Sequence, residues 1–123
     1  MFKDTKAFSG FAVDDVAAAR EFYGDKLGLE VSEENGLLTL QIAGDRPTLV
    51  YPKEGHTPAE YTILNFPVDD IDAAVDALME KGVAFELYEG APQDEKGIVR
   101  GQGPEIAWFT DPAGNILSVI KTD

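Results

Sequence analysis

Residues 8–31, F-S-G-F-A-V-D-D-V-A-A-A-R-E-F-Y-G-D-K-L-G-L-E-V, return in altered form at residues 63–85 as I-L-N-F-P-V-D-D-I-D-A-A-V-D-A-L-M-E-K-G-V-A-F. With an offset of 55 positions, Phe11 lies on Phe66, Val13 on Val68, and Asp14-Asp15 on Asp69-Asp70. Ala18, Ala19 and Lys26 fall on Ala73, Ala74 and Lys81, and a one-residue deletion then sets Gly28 on Gly82. Matches this dense in one register mark an internal duplication, so the chain reads as two copies of one supersecondary unit.

Each copy opens with a strand that runs into a helix. Asp14 and Asp69 are N-cap candidates, and a second aspartate in the first turn favours the positive helix end. Val16, Ala19, Phe22, Tyr23 and Leu27 share one face at helical spacing, as do Ile71, Ala74, Val75, Leu78 and Met79. Gly28 and Gly82 then stand where C-cap glycines belong. Strands are expected at 29–33, 37–42, 48–52, 83–88, 105–110 and 115–121, with Asn35-Gly36 as a hairpin turn and Asp111-Pro112-Ala113-Gly114 as a type I turn. The pattern is β-α-β-β-β twice, an α+β architecture. Residues 89–104 carry no clear period and are rich in Gly and Pro, which predicts a long loop.

Strand side chains alternate, so each strand offers two faces. Phe11, Val13, Leu64, Phe66, Leu117 and Val119 form a bulky apolar set that should receive the helices. The opposite set is mixed: Phe8, Gly10, Ala12, Ile63, Asn65 and Ser118. A face of that kind suits a ligand or a second subunit. Gly10 would leave room above the backbone, Phe8 and Ile63 would make an apolar floor, and Asn65 and Ser118 would supply oriented polar groups.

The chain has 123 residues, a length for one domain over 1–123, with module one at about 6–53 and module two at about 60–122. It has no cysteine, which removes disulfides, thiolate metal sites and cysteine nucleophiles. No stretch approaches a membrane span and no secretory signal is visible, so a cytoplasmic location is the expectation. With 23 acidic and 10 basic residues the formal charge is −13, which repels nucleic acid and concentrates cationic small molecules. The same charge also serves solubility alone.

The strings V-D-D-V-A-A-A-R-E-F-Y-G-D-K-L-G-L-E and F-T-D-P-A-G-N-I-L-S-V resemble the two signature segments of the glyoxalase/bleomycin resistance protein/dioxygenase (vicinal oxygen chelate) superfamily. With the duplication, the resemblance covers nearly the whole chain. It implies paired modules forming a cupped mixed sheet around a cleft, with helices outside, and commonly a homodimer. Metal-dependent members place a ligand seven residues before the aspartate that opens each helix; those positions are Phe8 and Ile63 here. A further ligand follows the D-P-x-G-N turn, and counting from Asp111 gives Ser118. The remaining ligand would come from T-L-V-Y-P, where Thr48, Leu49, Val50 and Tyr51 are neither His, Asp, Glu nor Gln. Divalent ions of this class need imidazole or carboxylate donors, so no metal and no other cofactor is expected.

Other candidates have plainer alternatives. His56, the one histidine, could act as a base near neutral pH or be a solvated loop residue. Asp94, Glu95, Lys96 and Arg100 could meet a charged ligand group if the 89–104 loop folds over the cleft, or could be surface charge. Trp108, Tyr51 and Tyr61 either fill the core or wall a cleft, and strand parity does not decide for Trp108. The resulting candidate ligand set is Phe8, Gly10, Tyr51, Tyr61, Ile63, Asn65, Trp108 and Ser118. The leading expectation is a protein that captures an organic or cationic small molecule without chemistry. An enzyme of the same superfamily, with relocated metal ligands or metal-free acid–base groups, is the alternative. An interaction module using its open sheet face is a third.

Overall fold

The aspartate pairs decide where the helices start. The computed structural model describes residues 1–43 and 47–122, and in it the second aspartate of each pair is the cap. Asp15 Oδ1 accepts from the Ala18 N–H at 3.1 Å and Asp70 Oδ1 from the Ala73 N–H at 3.0 Å. Asp14 and Asp69, read from sequence as the caps, lie one position outside. Only a residue three before a free N–H can close that ring while its own backbone stays extended, as Asp15 (φ −131°) and Asp70 (φ −129°) do.

The chain divides into Met1–Thr57, module one, and Pro58–Asp123, module two. Module one runs β1 (Gly10–Val13), α1 (Val16–Glu21), β2 (Glu30–Glu34), β3 (Leu37–Gln41) and β4 (Thr48–Pro52). Its sheet order is β1-β4-β3-β2, with β1 parallel to β4 and the other pairs antiparallel. Asn35 (φ 56°) and Gly36 (φ 80°) form the two-residue β2–β3 turn, both in the left-handed region that a type I′ hairpin demands.

Helix α1 does not stop at Glu21 but widens into a π turn over Phe22–Lys26, where the Leu27 N–H reaches back to Phe22 O at 3.0 Å. A π turn accommodates one extra residue within a helix. The first copy is one residue longer than the second between its capping aspartate and its terminal glycine, and the π turn takes up that residue. Both helices therefore end alike. The Leu29 N–H bonds Tyr23 O and the Val83 N–H bonds Leu78 O, each at 3.0 Å, around Gly28 (φ 74°) and Gly82 (φ 87°). Ala19, Phe22 and Tyr23 are buried from α1, with Tyr23 against Phe11 at a ring-centroid distance of 5.7 Å. Val13, Leu38, Leu40 and Val50 complete that core, each contributing about 1.5–3 kcal/mol of apolar burial.

Module two runs β5 (Thr62–Val68), α2 (Ile71–Glu80), β6 (Ile106–Thr110) and β7 (Ile116–Lys121). Its sheet order is β5-β7-β6, β5 parallel and β6 antiparallel to β7. From α2, Ile71 and Val75 are buried, whereas Met79, read from sequence as part of the apolar face, is 42% exposed. The D-P-A-G-N turn forms as expected. Its Gly114 N–H bonds Asp111 O at 3.0 Å, and the buried Asp111 side chain accepts from the Ala113 and Asn115 N–H groups at 2.9 Å each.

The strand expected at 83–88 is reduced to a single bridge, Phe85 to Phe109, plus one bond from the Glu86 N–H to Trp108 O at 2.8 Å. A side chain takes the place of the missing ladder. Gln93 accepts from the Tyr88 N–H at 2.7 Å and donates to Glu86 O at 2.9 Å. The 89–104 segment is likewise not featureless: Val99 bridges both Gln93 and Ile106, and Ile98 and Val99 are buried. No helix among the described residues is long and apolar enough to cross a membrane.

Candidate functional site

The register of module two assigns its faces. Leu117 pairs with Leu64 and Phe109, and Val119 with Phe66 and Ala107, so these side chains share one face. Leu117, Val119, Phe109 and Ala107 are buried there, and α2 packs against β7. Ser118 pairs with Asn65 on one side and Trp108 on the other, which puts all three on the second face. Trp108, whose face sequence parity left open, therefore belongs with Asn65 and Ser118.

A bulge adds a fourth residue. Thr62 pairs with Ile116 and Leu64 with Leu117, so two steps along β5 match one along β7. Ile63, between them, has no partner in the ladder and is half-buried. The extra residue inverts parity: Thr62, not Ile63, joins the Asn65 face. The Trp108 indole N–H accordingly donates to Thr62 Oγ1 at 3.1 Å.

The result is a small surface whose indole N–H and buried hydroxyl are paired within the protein. Ser118, fully buried, donates its hydroxyl to Asn65 Oδ1, leaving the Asn65 amide N–H groups on an exposed residue. Trp108 is half-buried and meets the edge of Tyr88 with ring centroids 5.7 Å apart and planes at 71°. Burial first, and the Glu86 carboxylate second, push the Tyr88 phenol above its ordinary value. An indole face, a phenol edge and a free amide suit a flat organic molecule with one acceptor group.

The remaining sequence candidates scatter. Phe8 precedes β1 and is 61% exposed, and Tyr61 precedes β5 at 71%. Tyr51 sits on β4 opposite Ala12 and is partly exposed. Gly10 does not leave ligand room as expected. A Cβ there would stand 3.1 Å from Leu49 O and 3.4 Å from Leu49 Cβ, so the missing side chain admits the neighbouring strand. His56 is half-buried with its Nε2 shielded from solvent and without a hydrogen-bond partner among the described residues.

The loop charges face α2. Lys96 pairs with Asp76 at 2.9 Å and Asp72 at 3.4 Å, and Arg100 with Asp72, Glu105 and Asp94 at 2.8, 3.1 and 3.2 Å. The Arg100 bond holds the Asp72 carboxyl below the ordinary carboxylate value. Burial alone would raise Asp94, but the Ile98 N–H, the Arg100 guanidinium and the Lys96 N–H outweigh it and lower it too. Spent on one another, these groups bind the loop to its own helix. Thr62 and Tyr88 are the residues beside Trp108 that sequence reading missed. A bulge leaves no trace in the residue pattern, and Tyr88 lay at the end of a strand that does not form.

The positions at which metal-dependent relatives hold an ion do not fit one here. Phe8 and Ile63 have no donor atom, and the Ser118 hydroxyl is engaged by Asn65. Among the described residues, no three His, Cys, Asp or Glu side chains are grouped so as to hold a metal. Module one carries a separate groove of about 750 Å³ between α1 and β2, lined by Val16, Arg20, Gly24, Val31 and Glu33 among others. The Arg20–Glu33 ion pair, at 2.9 Å, belongs to its lining.

Known proteins place this architecture. The uncharacterized protein YraH of Bacillus subtilis (strain 168) is 29% identical over 126 aligned positions, covering 89% of this chain and 91% of that one. The fosfomycin resistance protein FosX of Mesorhizobium loti superposes with a TM-score of 0.69 at 12% identity, over 100% of this chain and 95% of FosX. TnmS3, an antibiotic binding protein from Streptomyces sp. CB03234, gives 0.65 at 22% identity, over 95% and 96% of the two chains. Both likenesses concern the fold. The sequence pattern of one family matches residues 8–119, and with the duplicated modules it shows that the chain belongs to the Glyoxalase/Bleomycin resistance protein/Dioxygenase superfamily.

Proposed function

We propose that this protein binds a small organic molecule on the Trp108 face of module two and holds it without metal chemistry. The observation that carries the reading is the grouping of Trp108, Thr62, Asn65 and Ser118 on one sheet face, with Tyr88 edge-on to the indole. The Trp108 indole N–H and the Ser118 hydroxyl are already held by Thr62 and Asn65, which preorganises the surface and lowers the cost of ordering it on binding, while the Asn65 amide N–H groups are left for a ligand. The net charge of −13 favours a cationic ligand. TnmS3, whose fold is similar, is an antibiotic binding protein, which supports binding as a use of this fold while leaving the site to be argued from residues.

The test uses the single tryptophan. Planar aromatic and cationic compounds, with proflavine as the reference probe, are titrated against Trp108 emission and checked by calorimetry. Saturable quenching of the parent is expected, with calorimetric binding that Trp108→Leu abolishes. A compound that binds Trp108→Leu as tightly as the parent would contradict the reading.

The proposal includes a homodimer, supported by the superfamily's common habit and by exposed Phe2 and Phe8 at 74% and 61%. Light scattering should report twice the 13.3 kDa chain mass. A monomer throughout the micromolar range contradicts it.

A further inference from the structure

We propose that Gln93 is a positioning residue for the ligand face, its side-chain amide fastening the Glu86–Tyr88 segment so that Tyr88 stands edge-on to Trp108. The inference rests on the reading of the Trp108 face as a ligand surface, but its geometric core concerns the free protein.

Tyr88 lies beyond the last bridge of its segment, and 41% of it is exposed, so neither ladder nor burial fixes its ring. The backbone N–H that carries it is held by one side-chain amide. Gln93 Oε1 accepts from the Tyr88 N–H at 2.7 Å, while Nε2 donates to Glu86 O at 2.9 Å and Gly97 O at 2.8 Å. All three partners are backbone atoms, so the contact sets the path of the chain. Gly97 makes the approach possible. At φ +87° it carries no Cβ, and one there would stand 3.2 Å from Glu86 O and 3.5 Å from Gln93 Nε2.

The far side of the loop is fixed independently. Asp94 Oδ1 accepts from the Lys96 and Ile98 N–H groups at 2.9 Å each, Ile98 is fully buried, and Lys96 and Arg100 reach α2. Gln93 thus joins an anchored turn to the Tyr88 N–H, while the Tyr88 carbonyl accepts from the Ala91 N–H at 3.1 Å. Glutamine is the side chain that meets this need: it offers an acceptor and two donors on one planar group. Glutamate would turn both donors into acceptors aimed at carbonyl oxygens, and asparagine is one methylene short.

The experiment compares the parent with Gln93→Ala, Gln93→Glu, Tyr88→Ala and the Gln93→Ala/Tyr88→Ala double variant. Near-UV circular dichroism of the free protein reads the Tyr88–Trp108 pair, and proflavine affinity reads the face. Both Gln93 variants should lose the Trp108 near-UV signature and bind proflavine about tenfold more weakly, the scale of one or two lost hydrogen bonds. In the double variant the effects should not add, because Gln93 acts through Tyr88. A purely structural role is separated by Val75→Ala, a core truncation in α2 that should lower Tm and leave the dichroism and affinity of the folded protein unchanged. An unchanged near-UV spectrum in Gln93→Ala, or additive losses in the double variant, overturns the proposal. Proflavine binding that survives Trp108→Leu overturns the underlying reading of the face, and the near-UV result then still decides whether Gln93 holds Tyr88.

Discussion

Asp111→Ala should be among the most damaging single substitutions in module two. The Asp111 side chain is 4% exposed and receives the Ala113 and Asn115 backbone N–H groups at 2.9 Å each and Asn115 Nδ2 at 3.0 Å. Asn115 is itself 2% exposed, so two of these donors lose their acceptor where water does not replace it. Hydrogen bonds to a charged group contribute about 1.5–3 kcal/mol each, and a buried donor left unpaired costs about 1–3 kcal/mol. Counting the two Asn115 donors fully and the half-buried Ala113 donor at less, the loss is at least about 3 kcal/mol. Asp111→Asn keeps an oxygen for the backbone donors but turns an N–H toward Asn115 Nδ2, so about 1–2 kcal/mol should go. Urea unfolding followed by far-UV circular dichroism measures both, with m unchanged and the midpoint lowered in that order. The turn delivers β7, and with it Ser118, to the Trp108 face, so on the proposed function Asp111→Ala should also weaken proflavine binding. A loss below about 1 kcal/mol for Asp111→Ala would refute the reasoning that this buried cluster sustains the turn.

Two further outcomes follow from the charges and the donor set. Asp72 and Asp94 both have carboxyl values below the ordinary one; groups depressed on folding contribute stability that is complete above the unfolded value and lost as pH falls through the folded one. The 89–104 loop should therefore become cleavable by pepsin as pH is lowered below the ordinary carboxylate range, and loop resistance that persists unchanged would contradict its attachment through these acids. Elemental analysis after incubation with Zn, Fe, Mn and Ni should find no stoichiometric ion, because Phe8, Ile63 and Ser118 offer no free donor set; a stoichiometric ion held by module-two residues would overturn that expectation.

Much of the fold could be read from the chain because it is written in local chemistry. The duplicated V-D-D segments, Asn35-Gly36 and Asp111-Pro112-Ala113-Gly114-Asn115 each impose their backbone geometry within a few residues. Strand parity correctly grouped Asn65 with Ser118, since pleating repeats every second residue. It failed at Ile63, where a bulge inverts the count, and no residue type announces a bulge. The strand at 83–88 failed for a different reason. Its alternation is suitable, but the Gln93 side chain, five residues beyond Tyr88, takes backbone groups that a ladder would need. Gly10 illustrates a third limit: a glycine on an open face looks like space, yet here the space belongs to Leu49.

The central claim is that the Trp108 face of module two is where a small molecule binds, and chemical-shift mapping tests it most directly. In ¹⁵N-labelled protein titrated with proflavine, or with the strongest compound from the screen, the Trp108 Nε1–H and the amides of Thr62, Asn65, Tyr88 and Ser118 should shift together and saturate with one Kd. Shifts centred instead on Val16, Arg20, Gly24, Val31 and Glu33, the groove between α1 and β2, would contradict the claim and move the site to module one.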